Sequence, residues 1–229
     1  MRPVTTHPLD NPIWNALASR LAQFGEGGET AKHFVSDVSP FAAAKDDSPE
    51  AVAALGAFVP SDGDISLLQV NPPAPPPGVT VAMSALGVQM VATSLTESGK
   101  SFDIERLTDA DAAEMLALAT LTRPGPFRAR THALGRFVGI RDQGKLVAMA
   151  GERLQTDDFI EISAVCTHPD YRSRGYGAAL MRVVGARILA DGATPFLHSY
   201  ADNTGAIALY KSLGFEQRCE VIHAVWVRA

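Results

Sequence analysis

Arg172-Ser173-Arg174-Gly175-Tyr176-Gly177 lies between an apolar, β-branched run ending at Thr167 and a segment of helical periodicity that begins near Gly175. Glycines at a strand-to-helix turn let consecutive backbone N–H groups approach an anion, and the start of the helix adds about half a positive charge. The stretch therefore predicts a pyrophosphate-binding turn. It is not one of the two common nucleotide loops. A P-loop needs Gly-Lys-Ser/Thr after its glycines and a dinucleotide fold needs Gly-x-Gly-x-x-Gly, whereas Gly175-Tyr176-Gly177-Ala178-Ala179-Leu180 supplies neither.

After the turn, Leu180, Val183, Val184 and Ile188 recur at helical spacing, and Gly192 stands where a helix terminator belongs. A strand over 194–200, a helix over 204–213 stopped by Gly214, and a closing strand over 221–227 follow. Before the turn, a strand over 103–107 leads through Thr108-Asp109 into a helix, and Pro124 and Pro126 break the next stretch. Segments 137–141, 146–154 and 159–167, joined by Asp142-Gln143-Gly144 and Asp157-Asp158, read as a three-strand antiparallel meander. The order β-α-α-β-β-β-α-β-α-β is not the simple alternation of a doubly wound fold.

A second motif, Asn203-Thr204-Gly205-Ala206-Ile207-Ala208-Leu209-Tyr210-Lys211-Ser212-Leu213-Gly214-Phe215, follows one helix and one strand later. Together with His168-Pro169-Asp170-Tyr171-Arg172 and the glycine turn, it resembles the GCN5-related N-acetyltransferase (GNAT) superfamily, particularly its FR47-like branch, over about residues 102–229. The resemblance implies an α/β acyl-CoA N-acyltransferase fold with a mixed, mostly antiparallel sheet and flanking helices. It also implies acetyl-CoA as co-substrate, held in a V-shaped gap between the strand ending at Thr167 and the strand starting near Thr194.

In such a site the main chain at Val165 and Thr167 would pair with the pantetheine arm. The N–H groups of Arg172, Arg174, Gly175, Tyr176 and Gly177 would hold the pyrophosphate, Asn203 would contact pantetheine, and Tyr210 would be the general acid. A phenol with a reference pKa near 10 stays protonated and can donate to a departing thiolate. Glu161 matches the family's catalytic glutamate, and by strand alternation shares a face with Ser163 and Val165, so it is the expected proton acceptor. Glu152 or a water chain are its rivals. A main-chain N–H at or beside Val165 would stabilise the carbonyl oxyanion.

Composition narrows the alternatives. Of the 229 residues, 46% are hydrophobic and 20% charged, as in an ordinary folded domain. The net charge of −5 comes from residues 1–100, with 5 Lys+Arg against 10 Asp+Glu; an acidic first part and a neutral second one offer no nucleic-acid footprint. The most apolar run, 79–95, is interrupted by Thr80, Ser84, Gln89, Thr93 and Ser94 and falls short of a membrane span, while residues 1–8 lack the apolar core of a secretory signal. The expected setting is cytoplasmic, away from membranes. Cys166 and Cys219 form neither a disulfide framework nor a Cys-x-x-Cys site, and His168, His198 and His223 lie on separate segments without an i, i+4 pair, so no metal is expected.

Residues 1–98 carry no chemical motif. Helices are expected after Asn11-Pro12 and Ser48-Pro49, a strand over 64–70, and a stiff connector over 71–78. This region reads as a smaller α/β lobe, a separate unit or a degenerate partial copy of the second, with the catalytic unit over 99–229. Arg123, Arg128, Arg130 and Arg136, with His132, form a stretch free of acidic residues. It reads first as a solvated face or as ion pairs to the acidic lobe, and second as an anchor for an anionic acceptor. The expected activity is direct acetyl transfer from acetyl-CoA to the primary amine of a small molecule or peptide. A longer-chain acyltransferase and a non-catalytic acetyl-CoA sensor are the alternatives, and nothing here sets an oligomeric state.

Overall fold

The computed structural model describes residues 7–96 and 99–229. The amino-terminal residues read for a secretory signal and the expected 98/99 boundary thus fall at least partly outside the described residues. In chain order the elements are α1 (Pro12–Leu17), β1 (Gly25–Gly27), β2 (Ala31–Phe34), β3 (Ala42–Ala44), α2 (Pro49–Ala57), β4 (Ile65–Gln69), β5 (Val79–Val91) and β6 (Glu105–Leu107). Then come α3 (Ala112–Thr122), β7 (Phe137–Asp142), β8 (Lys145–Gln155), β9 (Phe159–Thr167), α4 (Tyr176–Ala190), β10 (Thr194–Tyr200), α5 (Thr204–Ser212) and β11 (Glu216–Arg228).

A small sheet, β1-β2-β3, stands apart from an eight-stranded sheet in the order β4-β11-β5-β10-β9-β8-β7-β6. In the large sheet only β9 and β10 run parallel. This sheet order spans the expected division at 98/99. β5 lies between β10 and β11 and pairs with both, and β4 extends the edge beyond β11, so the large sheet cannot be assembled from 99–229 alone. The apolar run at 79–95 is what fills that central place: its later part, Gly87 to Met90, is buried on both faces and shows no alternation, while 80–86 remain exposed or half-buried.

Period-two alternation sorts the sheet's side chains into two layers. Leu180, Met181, Val184 and Ile188 of α4 pack on one face against Val147, Ile160, Ile162 and Leu197. On the other, Leu9, Ile13, Leu17, Phe34 and Phe41 pack on Leu154, Phe196 and Val221, and α3 places Met115 and Leu118 on Phe137 and Met149. The amino-terminal segment is therefore a layer of the same core. The second of the two adjacent helices in the expected order is only a 3-10 turn at Thr131–Leu134, after the stretch that Pro124 and Pro126 break.

Candidate active site

Parallel pairing of β9 and β10 is confined to Thr194, Pro195 and Phe196 against Phe159, Ile160 and Glu161. Past Glu161 the strands part, and β10 continues against β5 alone as far as Tyr200. At the same level β9 is irregular. Its register with β8 passes from Ser163↔Gly151 to Cys166↔Met149, and Ala164 adopts φ 53°. A bulge of this kind re-aims the chain next to a cleft. A cavity of about 200 Å³ occupies the opening, lined by the main chain and side chains of residues 161–165, by Tyr200, Asn203, Tyr210 and His223, and by Phe41 and Leu68 from the amino-terminal layer.

At one end of this opening is the predicted turn. Ser173 and Gly175 take positive φ of 62° and 94°, and Gly175 is the N-cap of the 15-residue α4 without any side-chain cap. The first N–H groups of α4 thus have no intrahelical acceptor and add to the dipole's positive end. A Cβ on Gly177 would meet Val165 Cγ1 at 3.7 Å, ordinary contact, so the turn abuts the bulged strand. Of the arginines, Arg174 lies over the Tyr171 ring and donates to the Asp170 carbonyl, while Arg172 is exposed. Thr167 pairs with Ala148 in the sheet.

Asn203 and Tyr210 come from α5, whose N-cap is the Asn203 side chain accepting from the Ala206 N–H at 3.3 Å. The same cap points the helix at the cleft and carries Tyr210, two turns on, to the same cavity. Burial pushes the Tyr210 phenol's pKa above its ordinary value, so it stays a proton donor at neutral pH.

Glu161 lines the cavity but is 1% exposed and fully bonded. Arg153 grips it with Nε at 2.7 Å from Oε2 and Nη2 at 2.7 Å from Oε1, the Leu154 N–H donates to Oε2, and His198 Nδ1 lies 2.8 Å from Oε1. Burial works to raise its pKa, yet the Arg153 charge and the hydrogen bonds from Arg153 and His198 prevail and hold it at about 2. A carboxylate held that low and bonded at both oxygens is a poor proton acceptor at neutral pH. Glu152 is no substitute. It lies on the α4 side of the sheet, bound by Arg136 and Arg187.

His198 is tied at both ring nitrogens. Gln89 Nε2 lies 2.9 Å from both His198 Nε2 and the Leu9 carbonyl, while its Oε1 accepts from Arg218, which orients the amide as donor to His198. His198 therefore carries its proton on Nδ1 and donates it to Glu161. His223, on a separate strand as expected, lines the same cavity; its Nδ1 lies 3.0 Å from Tyr200 Oη, and burial, then Arg153 and His198, lower its pKa. Among the described residues no group of three or more His, Cys, Asp or Glu is arranged to hold a metal. Cys166 is buried, which pushes its thiol up to about 11 and leaves it inert.

Sequence reasoning missed Arg153, Phe41 and Leu68. Alternation on β8 puts Arg153 on the Glu161 face, a signal open to reading once the register is known; nothing local marks Phe41 or Leu68.

A splayed parallel pair, a bulge beside it and an uncapped helix start facing the opening define an acyl-CoA N-acyltransferase of the GNAT fold. Comparison with known proteins agrees. The FR47-like protein family model matches residues 137–227. The N-alpha-acetyltransferase RimI of Mycobacterium tuberculosis is 35% identical over 134 residues, which are 54% of this chain and 84% of that protein. A crystal structure of an acetyltransferase of the GNAT family from Novosphingobium aromaticivorans superposes with a TM-score of 0.92 at 40% identity, covering 98% of this chain and 100% of the other. A GCN5-related N-acetyltransferase from Kribbella flavida, 20% identical with a TM-score of 0.67 over 95% of each chain, shares the fold. The chain belongs to the GNAT family and is an acetyl-CoA-dependent acetyltransferase. Among the described residues no helix is long and apolar enough to cross a membrane.

Proposed function

We propose that the chain transfers acetyl from acetyl-CoA directly to a primary amine bound in the cavity. The observation that carries this reading is the convergence of the bulged strand at 163–165, Asn203 and Tyr210 on one opening beside the uncapped start of α4. In this reading the N–H groups of Arg172 to Gly177 hold the pyrophosphate, the main chain at Val165 and Thr167 and the Asn203 side chain hold the pantetheine arm, and a main-chain N–H at the bulge meets the carbonyl oxygen as charge develops there. The amine nitrogen forms the new C–N bond as the C–S bond breaks, Tyr210 Oη gives its proton to the thiolate, and the proton released from the new amide nitrogen returns through water to the phenolate.

The amine must first lose a proton. With Glu161 saturated and Glu152 on the far face, water in the cavity takes it, and the Glu161–His198 pair keeps that wall polar and rigid. A sensor would have no use for a buried phenol in the cavity, and the small volume favours acetyl over longer chains. Thiol release from acetyl-CoA across a panel of amines, with calorimetry of CoA binding, tests the reading: binding together with amine-dependent release supports it, and binding without release for any amine returns the sensor.

A further inference from the structure

The four arginines of the 123–136 stretch do not act as one patch. Arg130 pairs with Asp37 of the amino-terminal layer at 3.1 Å, Arg136 with Glu152 and Asp191, and His132 with Asp109 at 3.3 Å. Arg123 is the member that lines the cavity, and among the described residues its guanidinium pairs with no carboxylate. It ends α3 in the left-handed conformation, φ 50°, and is followed by Pro124, Gly125 and Pro126, all of which line the cavity too. A Cβ on Gly125 would come within 4.0 Å of Arg153 Nη1, so this loop lies across the Arg153–Glu161 pair.

We propose that the acceptor is a small amine bearing a free carboxylate, of amino-acid size, and that Arg123 is the residue that binds the carboxylate. The proposal rests on the acetyl-transfer reading above. Size is the first argument. The cavity's 200 Å³ is below the about 300 to 1,000 Å³ of drug-sized sites and must also admit the acetyl group. Phe41, 2% exposed, and Leu68, 6% exposed, form part of its wall.

Charge is the second argument. Among the described residues Glu161 is the one carboxylate lining the cavity, and Arg153 neutralises it. A polyamine or aminoglycoside would bring several cations to a wall with no carboxylate to spare. Arg123 leaves the wall one positive charge in excess, and a guanidinium fork matches a carboxylate in two parallel hydrogen bonds.

The test is thiol release with free amino acids, their amides, spermidine and a short peptide with a free amino terminus, alongside calorimetry of CoA. Free acids should exceed the corresponding amides by about tenfold or more in kcat/KM, since a charge-assisted pair is lost with the amide. Arg123→Asn, whose side chain tolerates the left-handed conformation, should collapse that ratio toward one through a raised KM for the acid, and Arg123→Lys should keep part of it. Amides turned over as well as acids, a peptide or spermidine preferred to every free acid, or an unchanged ratio in Arg123→Asn overturns the proposal. So does bound CoA without turnover of any carboxylate-bearing amine. Failure to bind CoA at all would instead remove the acetyl-transfer reading beneath it.

Discussion

At the end of the cleft proposed for the cofactor the working groups would be main-chain N–H donors from one continuous stretch, Val165 to Gly177, whereas the proposed acceptor end is made of side chains as far apart as Phe41 and His223. Backbone donors at a turn and helix start require little of side-chain identity beyond glycine where φ is positive, as at Gly175. The acceptor end depends on the sheet order that sets β4 and β11 beside β5. One end is suited to a constant group and the other to whatever acceptor the chain's distant segments enclose.

Tyr210→Phe cuts across both ends and carries the largest expected effect. It should lower kcat by about 10² to 10⁴-fold with CoA affinity nearly intact, read by steady-state kinetics and calorimetry. A loss below about threefold makes Tyr210 a packing residue. Because burial raises the phenol's pKa, the alkaline limb of kcat should have its midpoint above the ordinary phenol value near 10.

Gly177→Asp strikes the cofactor end alone. The carboxylate would face a pyrophosphate at the helix start, and CoA affinity should fall by about 100-fold in a variant that keeps its circular dichroism. Unchanged affinity would separate the turn from the ligand.

Phe41→Leu strikes the acceptor end alone. Trimming the ring widens the cavity and removes the stacking of Arg153, which lies 4.9 Å from the ring centroid, so KM for the acceptor should change by about three- to tenfold while the Kd for CoA holds. A matching change in CoA affinity would mean that the two ends are not independent.

Glu161→Gln gives the effect least visible in turnover and the most diagnostic one, read in the pH dependence of stability. A carboxylate at about 2 in the fold, against 4.5 ordinarily, adds stability that is complete above the unfolded value and is lost as pH falls from about 4.5 toward 2. Denaturant melts of Glu161→Gln should show a shallower loss over that window, together with a lower plateau at pH 7 because Arg153 is left buried and unpaired. If the acid limbs coincide, the ion pair is weaker than its geometry. A kcat that falls at neutral pH and recovers toward the amine's own pKa would restore Glu161 as the base.

The glycine turn, Asn203 as a helix start, Tyr210 two turns later and the β7-β8-β9 meander were all legible in the sequence, because each rests on short-range rules: glycine conformations, capping and period-two or helical spacing. Strand β10 agrees with its expected span of 194–200, where turn residues bound an apolar run. Glu161's face was legible too, but not its partners. Whether a strand glutamate is a free base or a saturated anion depends on Arg153 opposite and His198 alongside, and thus on registers that no local pattern encodes.

The amino-terminal segment marks the sharper limit. Its helices start where Asn11 and Ser48 cap them, yet its role was illegible because β5 reads as an uninterpretable apolar run until it is placed between β10 and β11. The sequence by itself determined the glycine turn, the helix that carries Tyr210 and the family, since these live in residues that act through their own backbone or a single helix. Only the tertiary structure decided the acceptor cavity, the fate of Glu161 and the place of residues 65–91, because burial and charge pairing are properties of neighbours in space, and those neighbours come from the two ends of the chain.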